Sequence, residues 1–287
     1  MEGFQIIRPV PPLSYYVEHY WYINIDKLIF KDQFIKVIPQ GYYDFVINYK
    51  VNYFENSNHI DLRLSPYTLV GPSVKYKDFG IKGEIGVFAI TFKPYGLFLL
   101  NDIKHLAKNY TPIELISRDL NRLKDILIEV DSNHQRINIS NKFLLELFKK
   151  SLLKNKKIRI PIEHIINEIK NNRGCINIKE LANEYNCSLS KLERNFNDCV
   201  GITPKQYARI IRFNEVLNIL NINNYNYLRD FIFKMGYYDQ SHFINEFKNF
   251  MGTTPKNYLK IRERFDPEYY LTKSEYYRLN KEYLMKG

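Results

Sequence analysis

LERNFNDCVGITPKQY (residues 192–207) and FINEFKNFMGTTPKNY (residues 243–258) are one pattern written twice. Leu192, Phe196, Gly201, Thr203, Pro204, Lys205 and Tyr207 of the first copy match Phe243, Phe247, Gly252, Thr254, Pro255, Lys256 and Tyr258 of the second, each displaced by 51 residues. A fixed offset held over so many positions marks an internal repeat, one supersecondary unit used twice. The unit reads as a helix-turn-helix. An apolar residue with Phe four positions later puts both on one helical face. The glycine then ends the helix where a left-handed residue is needed, and Thr-Pro caps and opens the next helix.

Upstream of the first copy, Ile178, Leu181, Ala182 and Tyr185 form the inner face of a short supporting helix. Asn186-Cys187-Ser188 makes the turn, and Ser188 or Ser190 caps a reading helix over residues 189–200. The outer side of that helix carries Ser190, Lys191, Arg194 and Asn197, donors with the reach for base edges or phosphates. In the second unit Asp230 to Met235 supply the supporting helix, Gly236-Tyr237-Tyr238 the turn and Asp239 the cap. Gln240, Ser241, Asn245 and Lys248 then face outward. A helix over 204–220 joins the units. Two reading helices on one rigid link suit successive major-groove faces about 34 Å apart, so one chain spans two turns of duplex DNA.

Charge agrees with that reading. The 287-residue chain is long enough for two domains and carries a formal net charge of +11. Residues 155–264 hold 18 Lys/Arg against 11 Asp/Glu, a net of +7, while residues 1–154 hold 20 against 16, a net of +4. The excess is concentrated in the repeat-bearing segment, as expected where one domain meets nucleic acid. Cys175, Cys187 and Cys199 are too few for a disulfide framework, match no metal-ligand spacing and are expected as buried apolar groups in a reducing compartment. The N-terminus lacks a secretory pattern and no long apolar run occurs, so a cytoplasmic protein without a membrane span is expected.

The first hundred residues have a different period. YWYIN (20–24), YDFVINY (43–49) and GVFAITF (86–92) read as strands, separated by turn signals at Pro39-Gln-Gly41, Glu55-Asn-Ser-Asn58, Gly71-Pro72 and Lys82-Gly83. Strands this close, without helical periods between them, predict a barrel or sandwich. From Thr111 the period lengthens: Ile113, Leu120, Leu123 and Leu127 have helical spacing, with Thr111 as N-cap and Pro112 at the first position, and 140–154 forms a second amphipathic helix. The expected fold class is α+β: a β-rich domain over 1–110, connecting helices over 111–155, an all-α double helix-turn-helix over 156–264 and a tail over 265–287.

LANEYNCSLSKLERNF (181–196), GITPKQYARIIRF (201–213) and MGYYDQSHFINEFKNFMGTTPKNY (235–258) resemble the AraC/XylS family of transcriptional regulators. The resemblance implies that Ser190, Lys191 and Arg194, then Ser241 and Asn245, read bases. Lys248 is placed for phosphate, and RNA polymerase is the implied partner. It also leans towards a homodimer. Ile232 stands where the family usually has a small residue, a departure that bears on how the second unit docks. VIPQGYYDFVINY (37–49), LVGPS (69–73) and FKPYG (92–96) resemble the sensing domain of one branch of these regulators, which implies a β-rich effector domain followed by connecting helices.

Among the aromatics of the β-rich half, alternate members should fill a core; Trp21, Tyr43, Phe45, Phe92 and Tyr95 are the candidates for lining an apolar effector pocket. A ligand-binding protein whose helical half makes only protein contacts is the alternative. A metal-dependent barrel enzyme ranks third, because His19, His59, His105, His134, His164 and His242 all lie more than ten residues from one another. No phosphate-cradling glycine loop or nucleophile elbow is present in the sequence, so no catalytic residue, metal or cofactor is expected.

Overall fold

Strand alternation in the N-terminal half generates one large antiparallel sheet whose two faces differ sharply in chemistry. In this computed structural model the described residues are 5–25, 33–50, 52–57, 60–63, 65–82, 84–98, 110–112, 115, 117–153, 161–222 and 231–264. The sheet holds six strands: β1 (Gln5–Ile7), β2 (Val17–Ile25), β9 (Ile85–Phe92), β4 (Tyr43–Asn48), β7 (Tyr67–Val70) and β10 (Tyr110–Pro112), in that spatial order. A second sheet orders β3 (Gln33–Val37), β8 (Lys77–Lys82), β5 (Asn52–Ser57) and β6 (Ile60–Arg63).

Register explains the covered face of the large sheet. Tyr20 pairs with Ile90, Ile90 with Phe45 and Phe45 with Leu69, so these side chains form one apolar row; Tyr22, Phe88 and Ile47 form the next. All are essentially inaccessible to solvent. Leu13 of a 3-10 helix (Pro11–Tyr15) packs on them, with Leu120, Leu123 and Leu127 of α1 (Arg118–Ile128) and Ile137, Leu144 and Phe148 of α2 (Asn133–Leu153). Each fully buried side chain of this size contributes roughly 1.5–3 kcal/mol. The apolar stripes of the connecting helices are thus used inside the chain. Arg136 fixes the α1–α2 corner, donating from Nε to the Leu127 carbonyl at 3.0 Å and stacking 4.2 Å over Tyr49.

Three expectations are corrected here. Thr111 and Pro112 do not open a helix; they pair with Leu69 and Thr68 as an edge strand, where proline's missing donor is tolerated. The helix begins at Arg118, with the Ser117 hydroxyl accepting from the Leu120 amide at 3.4 Å. The second helix starts at Asn133, seven residues before its apolar period becomes clear. Glu55-Asn-Ser, expected as part of a turn, is strand paired with Ile60–Leu62; residue 58 of that expectation lies outside the described residues.

The helical half comprises α3 (Ile162–Asn171), α4 (Ile178–Glu184), α5 (Leu189–Val200), α6 (Pro204–Ile222), helical residues 231–234, α7 (Gln240–Met251) and α8 (Pro255–Arg264) around a second core. Ile38 and Tyr95 from the β-rich half belong to this core too. The cysteines divide: Cys199 is buried, with its thiol pushed up to about 12 by burial and then by Asp198; Cys187 is half-buried; Cys175 is exposed, against expectation. No helix among the described residues is long and apolar enough to cross a membrane. The boundary at 155–157 and the tail at 265–287 lie outside the described residues.

Candidate nucleic-acid interface

Each unit is assembled from local capping. Asn177 opens α4 by accepting from the Lys179 amide at 3.0 Å. Ser188, not Ser190, caps α5, accepting from the Lys191 amide at 3.3 Å; Asp239 caps α7, accepting from the His242 amide at 2.7 Å. The two caps stand 51 positions apart, like the rest of the repeat. Each cap satisfies an otherwise orphaned amide and puts negative polarity at the positive end of the helix. Both reading helices end on left-handed glycines, Gly201 (φ 81°) and Gly252 (φ 77°). Thr203 and Thr254 then accept from the Gln206 and Asn257 amides, both at 3.2 Å. Gln206 completes a capping box by accepting from the Thr203 amide at 3.0 Å.

Behind each reading helix the packing repeats as well. Phe196 lies 5.7 Å from Tyr207 between ring centres, and Phe247 lies 5.9 Å from Tyr258 at nearly the same tilt. Leu192 and Phe243 are buried beside them. With those side chains turned inward, helical geometry turns the next ones outward. Ser190, Lys191 and Arg194 of α5 are exposed and Asn197 is half-buried; Gln240, Ser241, Asn245 and Lys248 of α7 are all exposed. Tyr238, read in the sequence only as part of a turn, is 87% exposed beside the start of α7. Ile232 is accommodated without exposure, at 1%, in the helical core.

Two families match the chain. One, described as a domain of unknown function (DUF6597), covers residues 5–109; the other, described as a helix-turn-helix domain, covers residues 181–261. The C-terminal half carries an AraC-type helix-turn-helix domain. Solved structures of ToxT from Vibrio cholerae also align. The form with unsaturated fatty acid bound is 13% identical over 90% of this chain and 95% of that one, with a TM-score of 0.42. The form bound to (E)-4-(8-methylnaphthalen-1-yl)but-3-enoic acid is 13% identical over 91% and 99%, with a TM-score of 0.44. No curated protein sequence matches.

Inside the AraC-type domain, a buried ionic cluster joins α6 to the second reading helix, and sequence reasoning missed it. Glu246 of α7, 5% exposed, accepts from Arg209 Nε at 2.7 Å and from an Arg212 terminal nitrogen at 2.9 Å. Arg212 also stacks 4.4 Å over Tyr237. Burial alone would raise the Glu246 carboxyl; Arg212 and then Arg209 outweigh it and hold the group below the ordinary carboxylate range. Two of the domain's positive charges are therefore engaged internally. The only sequence signal was a lone glutamate in the inward phase of a helix, one residue after Asn245.

The contacts of the β-rich half with the AraC-type domain include three side-chain hydrogen bonds among the described residues. Tyr43 donates its hydroxyl to the Val200 carbonyl at the end of α5 (3.0 Å), Asn249 of α7 donates to the Val74 carbonyl (3.1 Å), and Asn214 of α6 donates to the Pro39 carbonyl (3.1 Å). Gly252 lies under the Tyr76 ring, and a Cβ there would come within 2.5 Å of it. Of the aromatics proposed for an effector pocket, Tyr43, Phe45 and Phe92 lie between the sheet and the connecting helices, and Tyr95 packs on the helical half. Trp21 projects from the sheet's other face, since it pairs with Ala89 in the alternate phase.

Proposed function

We propose that the chain is a sequence-specific, DNA-binding transcriptional regulator whose two reading helices, α5 and α7, enter successive major grooves. One observation carries the proposal: both copies of the repeat hold a capped helix with an apolar back and an exposed row of hydrogen-bond donors. Arg194 and Asn245 are the principal base readers, as their long or bidentate side chains allow, with Ser190, Lys191, Gln240 and Ser241 contributing less. Asn197, Lys248 and the Tyr238 hydroxyl meet the backbone, positioning the protein without reading sequence. RNA polymerase is the downstream partner, recruited or blocked from the bound site.

In this reading the β-rich half binds a small effector, and the contacts at Val200, Asn214 and Asn249 carry its state to the reading helices. The test is binding of the purified full chain to a fluorescent duplex from the region upstream of its own gene, with scrambled DNA as competitor, at two salt concentrations. Tight, competitor-resistant binding that weakens steeply with salt is expected, because neutralising phosphates releases counterions. Binding that is absent at low salt, or indifferent to competitor, overturns the proposal.

A further inference from the structure

The face of the six-stranded sheet turned away from α1 and α2 is also largely buried, Ala89, Thr91, Thr68 and Asn48 among it, but it mixes polar with small apolar side chains where the other face is aromatic. Asp44, Val46 and Asn48 alternate along β4 with the buried Tyr43, Phe45 and Ile47, so they project away from the connecting helices. Strand pairing sets His19, Thr91, Asp44 and Val70 in one row and Trp21, Ala89, Val46 and Thr68 in the next. Ala89 is small enough for the Trp21 indole to lie across it and bring Nε1 within 3.4 Å of Asp44 Oδ1. The Thr91 hydroxyl donates to that same oxygen. Neither reaches Oδ2, which has no donor among the described residues.

Asp44 thus sits in the centre of a sheet with neutral partners only. Burial raises its carboxyl, the Thr91 and Trp21 hydrogen bonds oppose that, and no basic side chain contributes. In a chain of net charge +11, a half-buried carboxylate whose hydrogen-bond partners among the described residues are all neutral is out of pattern, since withdrawing a charge from water without a counter-charge is costly. A second observation points the same way. Asn48, 7% exposed on the same face, leaves its Oδ1 without any hydrogen-bond partner. Both groups with spare capacity are acceptors, and between them lies half-buried, apolar Val46.

We propose that this face binds a linear amine, with a cationic ammonium group on Asp44, its chain along Val46 beside Trp21, and a second donor on Asn48. Four residues along a strand separate the two anchors by about 13 Å. A hydrogen bond of about 3 Å at each end leaves room for a diamine of cadaverine's length. As an effector the amine rests on the regulator proposed above; as a ligand it does not.

Trp21, the only tryptophan, reports on the site directly. Titrating the full chain with cadaverine should change its emission saturably, whereas pentanediol, of equal length and uncharged, should not. Asp44→Asn keeps an acceptor for Thr91 and Trp21 but removes the charge, and should weaken cadaverine at least about tenfold. Asn48→Ala should weaken cadaverine several-fold and leave pentylamine unchanged, a comparison that stands even if the Asp44 variant does not fold by circular dichroism. Pentanediol matching cadaverine, or both variants binding as wild type, overturns the site. Saturable binding of cadaverine that leaves DNA affinity unaltered, in a chain that does bind DNA, overturns only its role as effector. A chain that binds cadaverine and no DNA sinks the regulator instead.

Discussion

Arg194 and Lys248 each place one positive charge on an exposed helix surface, yet they should fail differently when removed. Arg194→Ala should lose discrimination at one base pair, by about 1–3 kcal/mol if the contact is bidentate to guanine. Lys248→Ala should weaken all sequences alike and flatten the plot of log affinity against log salt by about one unit. Competition with single-base operator variants at several salt concentrations separates the two; identical behaviour would undo the division into base readers and positioners. Inside the protein, Glu246→Ala strands Arg212 beside Tyr237 and should cost about 3 kcal/mol in urea unfolding. The Glu246 and Asp44 carboxyls titrate in opposite senses. Glu246, held low when folded, stabilises above the ordinary carboxylate range, and that contribution disappears as pH falls through its folded value. Asp44, held high, contributes fully at low pH and loses that contribution as pH rises through its folded value. Asp44→Asn should therefore raise the urea midpoint of the ligand-free protein at neutral pH, where Glu246→Gln lowers it.

Helix beginnings show what a local signal can settle. Asp239→Ala should cost about 1 kcal/mol of stability and weaken DNA binding through the second unit, because the His242 amide loses its partner. Both reading helices, their caps and their terminal glycines were legible in the sequence because cap, apolar spacing and left-handed stop all lie within fifteen residues of each other. Thr111-Pro112 carried an equally good cap signature and was misread, since its fate is decided by pairing with Leu69 and Thr68 more than forty residues away. Ser117→Ala should consequently destabilise α1, whereas Thr111→Ala should be felt in the sheet edge and leave helix content by circular dichroism unaltered. The strands were legible from β-branched and aromatic runs, but not which alternate face the helices would cover. That ambiguity put Tyr43, Phe45 and Phe92 beside Trp21 as pocket candidates, though of these four only Trp21 projects from the face turned away from the connecting helices. The Glu246 cluster needed three residues brought together from two helices, which no local window contains.

At the scale of the molecule, the two units on α6 should protect about two turns of duplex from cleavage with a single chain bound. A footprint of half that length would mean only one unit engages. The β-rich half touches α5, α6 and α7, so it bears on both reading helices and on the helix between them. Its tightest fit is at Gly252, where one position answers two demands: it must turn left-handed to stop α7, and it must be bare to seat Tyr76. Chain-shuffling experiments inherit this double demand. A hybrid regulator that grafts this AraC-type domain onto a foreign sensing half keeps an empty notch unless the donor brings an aromatic ring to the place of Tyr76. The reciprocal hybrid brings a ring with nowhere to rest unless its new partner ends the second reading helix on glycine. Residues 76 and 252, although 176 positions apart in the chain, are in that sense a single heritable part.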